Sequence, residues 1–171
     1  MKRIFALLIV AISWKASASE DMPWGYEVNY DKFDKFFEHM SWVATPDKNA
    51  LFSLNCRVYD DSPIGPLNNF VSVAYIEPIG EFGSDVTLKI LLHDGHVATF
   101  DARIYSDTKR SLYLELDSLD ILRMFAMRLQ EGDGFEVEIN PKPTGKTLQF
   151  KFTSNGANSA INSMLTNCVK I

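Results

Sequence analysis

The chain has 171 residues, 46% of them apolar and 23% charged, which is the composition of a folded domain and excludes a disordered segment. Its net charge is −5, from 17 basic and 22 acidic side chains. With no basic excess to neutralise a phosphate backbone, nucleic acid is not an expected partner.

Residues 1–18 read as a secretory signal: Lys2 and Arg3, an apolar run from Ile4 to Ile12, then Ala16, Ser17 and Ala18 as a small-residue cleavage site. The run of about nine residues is well short of the ~20 that cross a bilayer. No cysteine stands at the expected mature start, Ser19, to carry a lipid. The expectation is one globular domain over residues 19–171, in the periplasm or secreted, with no stable membrane anchor once the signal is removed. Cleavage takes away Lys2, Arg3 and Lys15 and no acidic residue, so the net charge moves from −5 to −8. Such a surface stays soluble and complements a basic partner.

Trp24 and Tyr26 sit between Pro23 and Gly25 near the start of the mature chain, and Trp42 follows shortly after. Aromatics at an edge can anchor a partner, and these three are the candidate partner-binding residues. The competing and favoured reading packs them onto the domain's edge, because a chain of this size needs its large apolar side chains inside.

Between residues 31 and 40, Phe33, Phe36, Phe37 and Met40 recur at i, i+3, i+4 and i+7, with Asp31, Lys32, Asp34, Lys35 and Glu38 between them; the spacing predicts a short amphipathic helix. Strand-like runs follow at Leu51 to Tyr59, Phe70 to Ile76 and Val86 to Leu92. The last of these and Val97 to Tyr105 flank His93, Asp94, Gly95 and His96. Asp-Gly favours a two-residue type I′ turn, so a hairpin is expected.

Ser111 to Leu116 predicts another strand. Asp117 or Ser118 can then cap a helix over residues 118–131, with Leu122, Phe125 and Leu129 inward and Gly132 as the stop. Strands are expected over residues 135–139 and 147–152. A last helix over residues 157–167 carries Ala157, Ala160, Ile161, Met164, Leu165 and Cys168 on one face. About seven or eight strands at hairpin spacing, with three short helices, indicate a mainly β domain: a β-sandwich or a small curved antiparallel barrel.

Cys56 and Cys168 are the only cysteines. An even count behind an export signal reads as a disulfide. Closing a loop of ~110 residues is worth about 4 to 5 kcal/mol in the chain-entropy model, so this is a structural staple. A redox pair would want close spacing, such as Cys-x-x-Cys, and a lowered thiol pKa.

Among groups that could carry chemistry, His93, Asp94 and His96, with Asp101 on the returning strand, suit zinc, but the pattern places two ligands and no third. A solvated turn with polar flanks is the better reading. Asp60 and Asp61 lack the spaced carboxylates of a calcium loop, and a turn is preferred there. His39 reads as a surface or capping histidine. No serine elbow, phosphate-binding loop or dinucleotide fingerprint occurs, so no catalytic residue, cofactor or metal ligand is assigned.

The order of elements nevertheless has a likeness. A strand ends near Leu54, Asn55 and Cys56; a hairpin carries Asp101 to Ile104; a helix follows Leu116, Asp117 and Ser118; Phe150-Lys-Phe152 leads through Gly156 to a final helix with Ala160, Ile161, Leu165 and Cys168. Over most of residues 49–168 this resembles small exported bacterial proteins associated with type VI secretion and, more distantly, the invasion-associated locus B family. The resemblance implies a non-enzymatic envelope accessory protein that binds another protein. An inhibitor or immunity protein of a basic cell-wall hydrolase is the first alternative, and a metal-dependent hydrolase using His93 and His96 is the second.

Overall fold

The computed structural model describes residues 23–59, 68–105, 109–142 and 145–168. The proposed signal, Ser19 and the pair Asp60 and Asp61 lie outside the described residues.

The chain forms β1 (Gly25–Asp31), β2 (Phe36–Ala44), β3 (Ala50–Tyr59), β4 (Asn68–Tyr75), β5 (Asp85–Leu91), β6 (Val97–Ile104), β7 (Ser111–Leu116), α1 (Leu119–Gln130), β8 (Gly134–Pro141), β9 (Leu148–Thr153) and α2 (Ala157–Cys168). All nine strands among the described residues belong to one antiparallel sheet, ordered β1-β2-β3-β4-β7-β6-β5-β8-β9. The mainly β reading holds, and the expected strands after residue 50 are found within a few residues of their predicted bounds.

The helix expected over residues 31–40 is not formed. Those residues are the end of β1, a turn and the start of β2, with Tyr30 paired to Phe37 and Asp31 to Phe36. The Asp31 Oδ1 accepts from the backbone N–H of Phe33 (2.8 Å) and of Asp34 (3.1 Å), and Lys35 lies at φ 52°. An Asx-type turn and a left-handed residue reverse the chain where a helix would continue. Phe33 is 84% exposed at the tip, so the apolar spacing that mimics a helix joins a turn residue to three β2 residues, of which Phe37 lies on the opposite face from Phe36 and Met40.

Strand alternation separates the two faces of the sheet. Val43, Phe52, Leu54, Cys56, Val71, Val73, Val86, Leu88, Ile90, Ala102, Ile104, Leu112, Leu114, Val137 and Ile139 point inward and are buried. The sheet curls around them. Phe52 on β3 meets Phe135 on β8 at 4.9 Å and Phe152 on β9 at 5.8 Å, and Tyr75 on β4 meets Phe150 on β9 at 5.1 Å between ring centroids. The two edge strands are pinned at one corner, where the Trp24 N–H donates to the Asn155 carbonyl (2.9 Å) and its indole Nε1 to the Thr153 carbonyl (2.8 Å). No ladder joins β1 to β9, so the architecture is a curled sheet and not a closed barrel.

Both helices fill the curl. Ser118 caps α1, its hydroxyl accepting from the Ile121 N–H (3.2 Å), and Leu122, Phe125, Ala126 and Leu129 face the core. The α2 stripe of Ala157, Ala160, Ile161, Met164 and Cys168 is buried against β1 to β3. Cys168 is bonded to Cys56 with Cα atoms 6.1 Å apart, tying the last turn of α2 to β3 across 112 residues. No helix among the described residues is long and apolar enough to cross a membrane.

Candidate functional site

On the convex side the same alternation presents a different set of residues, of which Phe70 and Asn55 are themselves buried. The register sets Phe70 of β4 beside Asn55 of β3 and Glu115 of β7, and Tyr113 of β7 beside Ser72 of β4 and Arg103 of β6. The sequence Ser-Leu-Tyr-Leu-Glu-Leu of β7 sends its leucines inward, so Tyr113 and Glu115 must point out.

The result is a second, aromatic layer on part of this face. Phe70 and Tyr113 rings lie 5.4 Å apart, tilted by 57°, and Tyr105, just past the end of β6, meets Tyr113 edge-on at 6.1 Å and 87°. The Arg57 guanidinium carbon sits 4.9 Å from the Phe70 ring centre and 5.0 Å from that of Phe36, while its Nη2 is 3.3 Å from Glu38 Oε1. Beneath these rings Ser53 and Ser72 share a hydrogen bond of 2.6 Å, and the Asn55 amide donates to Ser53 Oγ at 2.9 Å. Buried polar groups of this kind, satisfied by one another, hold the platform rigid.

Two adjoining clefts open here. One, of about 300 Å³, is bounded by Arg57, Asn68, Phe70, Tyr105, Tyr113 and Glu115. The other, of about 270 Å³, shares Tyr105, Tyr113 and Glu115 and extends to Asp85, Asp101 and Arg103. Aromatic walls with a few charged groups, carried mostly on strands, have the make-up of a preformed binding site.

The partner-binding aromatics expected from sequence lie elsewhere. Trp24 is 6% exposed, with its ring against Phe52 and Phe135, so its indole belongs to the core. Trp42 is half-buried on the convex face, its ring crossing Gly25 so closely that a Cβ there would stand 2.7 Å from Trp42 Cε2. Tyr26 is on the opposite, inner face. The fold does not bring the three into one patch.

Tyr26 instead belongs to a short polar chain. The Asn167 amide donates to the Tyr26 hydroxyl (3.0 Å), which is 2.9 Å from His39 Nδ1. His39 is the cross-strand partner of Cys56, so this chain ties α2 to β1 and β2 beside the disulfide. Burial pushes the Tyr26 phenol up and the His39 imidazole down from its usual 6.5. A neutral His39 can accept the Tyr26 proton; an imidazolium cannot. Because the unfolded chain takes up the His39 proton first, stability is full above pH ~6.5 and falls as the pH drops through the lower folded value. Calorimetric melting between about pH 7.5 and 5 should show this decline, and His39→Gln should flatten it; an unchanged slope in the variant would remove His39 as the cause.

The hairpin carrying the histidines differs from the expected two-residue turn. The Gly95 N–H donates to the Leu92 carbonyl (3.0 Å), and the Leu92 N–H to the His96 carbonyl (2.9 Å). Gly95 lies at φ 80°, whereas Asp94 keeps a negative φ, so a type I turn is followed by a left-handed glycine, the three-residue alternative. Type I′ would need a positive φ at Asp94 as well. The Asp94 carboxylate is paired with Arg128 and also accepts from the His96 N–H (3.0 Å), and Asp101 is paired with Lys142 (2.9 Å). Among the described residues no three His, Cys, Asp or Glu side chains converge on a metal position.

Sequence reasoning missed the convex cluster, although a signal was present: tyrosine and phenylalanine at outward positions of otherwise amphipathic strands. No family model matches the chain, and no curated protein or solved structure is significantly similar to it.

Proposed function

We propose that this chain is an exported, non-enzymatic recognition protein, an accessory of an envelope or secretion machine, that binds another envelope protein through its convex face. The observation that carries the reading is the pair of clefts sharing Tyr105, Tyr113 and Glu115. Aromatic side chains offer large contact area at low entropy cost, and interface hot spots are built from them. The Cys56–Cys168 bond suits an oxidising compartment, in keeping with the proposed signal and with the likeness to type VI secretion-associated proteins.

Tyr105 is 54% exposed; its N–H donates to the Ser111 carbonyl, and its side chain hydrogen-bonds Arg103. Tyr105→Ala should therefore leave the fold intact and remove a wall of both clefts. Capture of envelope proteins on the mature protein, with a high-salt wash and mass spectrometric identification, should recover a specific partner on the wild type and lose at least about tenfold on Tyr105→Ala. Recovery of components of one machine fits the accessory reading. Recovery of a single basic hydrolase would assign the inhibitor role instead. Equal recovery on both baits would overturn the convex face as the recognition surface.

A further inference from the structure

The charges of the convex face are almost completely matched. Across β6, β5, β8 and β9 and the residue after β8, Asp85 is bonded to Arg103 (3.2 Å), Asp101 to Lys142 (2.9 Å), Glu136 to Lys151 (3.5 Å) and Glu138 to Lys89 (2.9 Å). On the neighbouring β2, Glu38 is bonded to Arg57. Glu115, like Glu27 on β1, is an exception: among the described residues it has no ion pair and no side-chain hydrogen bond. It is exposed, on the wall common to both clefts, two residues from Tyr113 on the same face and near Tyr105.

The neighbouring arginines do not fill its place. Arg57 is held between Phe36 and Phe70 by Glu38, and Arg103 is held by Asp85 and hydrogen-bonds the Tyr105 side chain; neither is paired with Glu115. What is left is one uncompensated carboxylate beside two tyrosine rings set edge to face. Rings at 87° form a notch, not the flat platform on which a sugar ring stacks. A guanidinium suits such a notch: its plane can lie on a ring face while its N–H fork meets the carboxylate. The chain's net charge of −5 favours approach of the same kind of partner.

We infer that the Tyr105–Tyr113–Glu115 notch receives an arginine side chain from a basic partner protein. This rests on the convex face being the recognition surface and names what that surface takes. The guanidinium stacks against a tyrosine ring and donates to the Glu115 carboxylate, matching a charge that the chain leaves unpaired between the two clefts.

The test uses a capped tetra-arginine peptide and its neutral isostere, capped tetra-citrulline, titrated into the mature protein and followed by NMR of the tyrosine rings. Tetra-arginine should shift the Tyr105 and Tyr113 resonances saturably, and tetra-citrulline should not. Glu115→Gln should weaken tetra-arginine by about tenfold. Glu27→Gln, which removes the same charge from an exposed position on β1, should change it less than about twofold. Equal weakening by both variants would mean diffuse attraction to an acidic surface, and equal binding of the citrulline peptide would mean a neutral ligand; either overturns the inference. Retention of the captured envelope partner by Glu115→Gln together with its loss on Tyr105→Ala would also overturn it, while leaving the recognition surface standing. Glu115-dependent binding of tetra-arginine with capture unaffected by Tyr105→Ala would do the reverse.

Discussion

Reduction of the Cys56–Cys168 bond is expected to lower the unfolding free energy by about 4 to 5 kcal/mol, a large share of what a domain of this size has. The two residues are 112 apart in sequence, so the bond removes a long loop's freedom from the unfolded chain. It also acts at a vulnerable place. Cys168 is the last residue of α2, and this helix has no charged residue in its first or last turn to stabilise its ends. It is held by the burial of Ala157, Ala160, Ile161 and Met164 and by the Asn167–Tyr26–His39 chain beside the bond. Urea unfolding with and without reductant, compared at constant slope, measures the effect. Cys168→Ala should match the reduced wild type and be insensitive to reductant. A loss below about 1 kcal/mol would mean that the unfolded chain retains the contact between α2 and β3 without the bond.

The elements most legible in the sequence are those whose pattern has one solution. The α1 segment carries a serine cap, an apolar stripe and a glycine stop together. The strands from β3 onward mostly alternate, and the pairing of Cys56 with Cys168 follows from there being two cysteines. The hairpin of β1 and β2 was hidden because two short strands joined by a four-residue turn can put phenylalanines at helical spacing by coincidence. The alternation of Tyr26, Val28 and Tyr30 was the competing strand signal in that region. The convex cluster left only the signal of outward aromatics, which does not assemble into a site without the strand order. Its residues come from β3, β4, β7 and the end of β6, and β7 reaches β4 only because β5 and β6 fold back on its other side. Periodicity shows which way Tyr113 and Glu115 point. It cannot show that Phe70, forty-five residues before Glu115, stands opposite it.

Phe52→Ala should be the most damaging single core substitution, at about 3 to 5 kcal/mol. Phe52 is fully buried, and its ring meets those of Trp24 (6.2 Å), Phe125 (6.5 Å), Phe135 (4.9 Å) and Phe152 (5.8 Å). These neighbours come from the segment before β1, from α1 and from the paired strands β8 and β9, none of which is paired with β3 in the sheet, so one ring joins parts of the fold that the ladder leaves apart. The loss has two components: the transfer of a phenyl group from water, and the cavity left between aromatic rings too rigid to collapse onto it. Edge-to-face packing with Phe135 is lost as well. Because β3 is central and paired on both sides, its backbone cannot move to close the gap. Calorimetry should show a large fall in melting temperature, and a loss under about 1.5 kcal/mol would mean that the curl is held by the strand ladder and the disulfide instead. The contrast with the convex face is the informative part. Tyr105→Ala should stay within about 0.5 kcal/mol of the wild type, so a variant that abolishes capture while melting normally locates recognition on that face, whereas the Phe52 variant would lose capture only through loss of the fold.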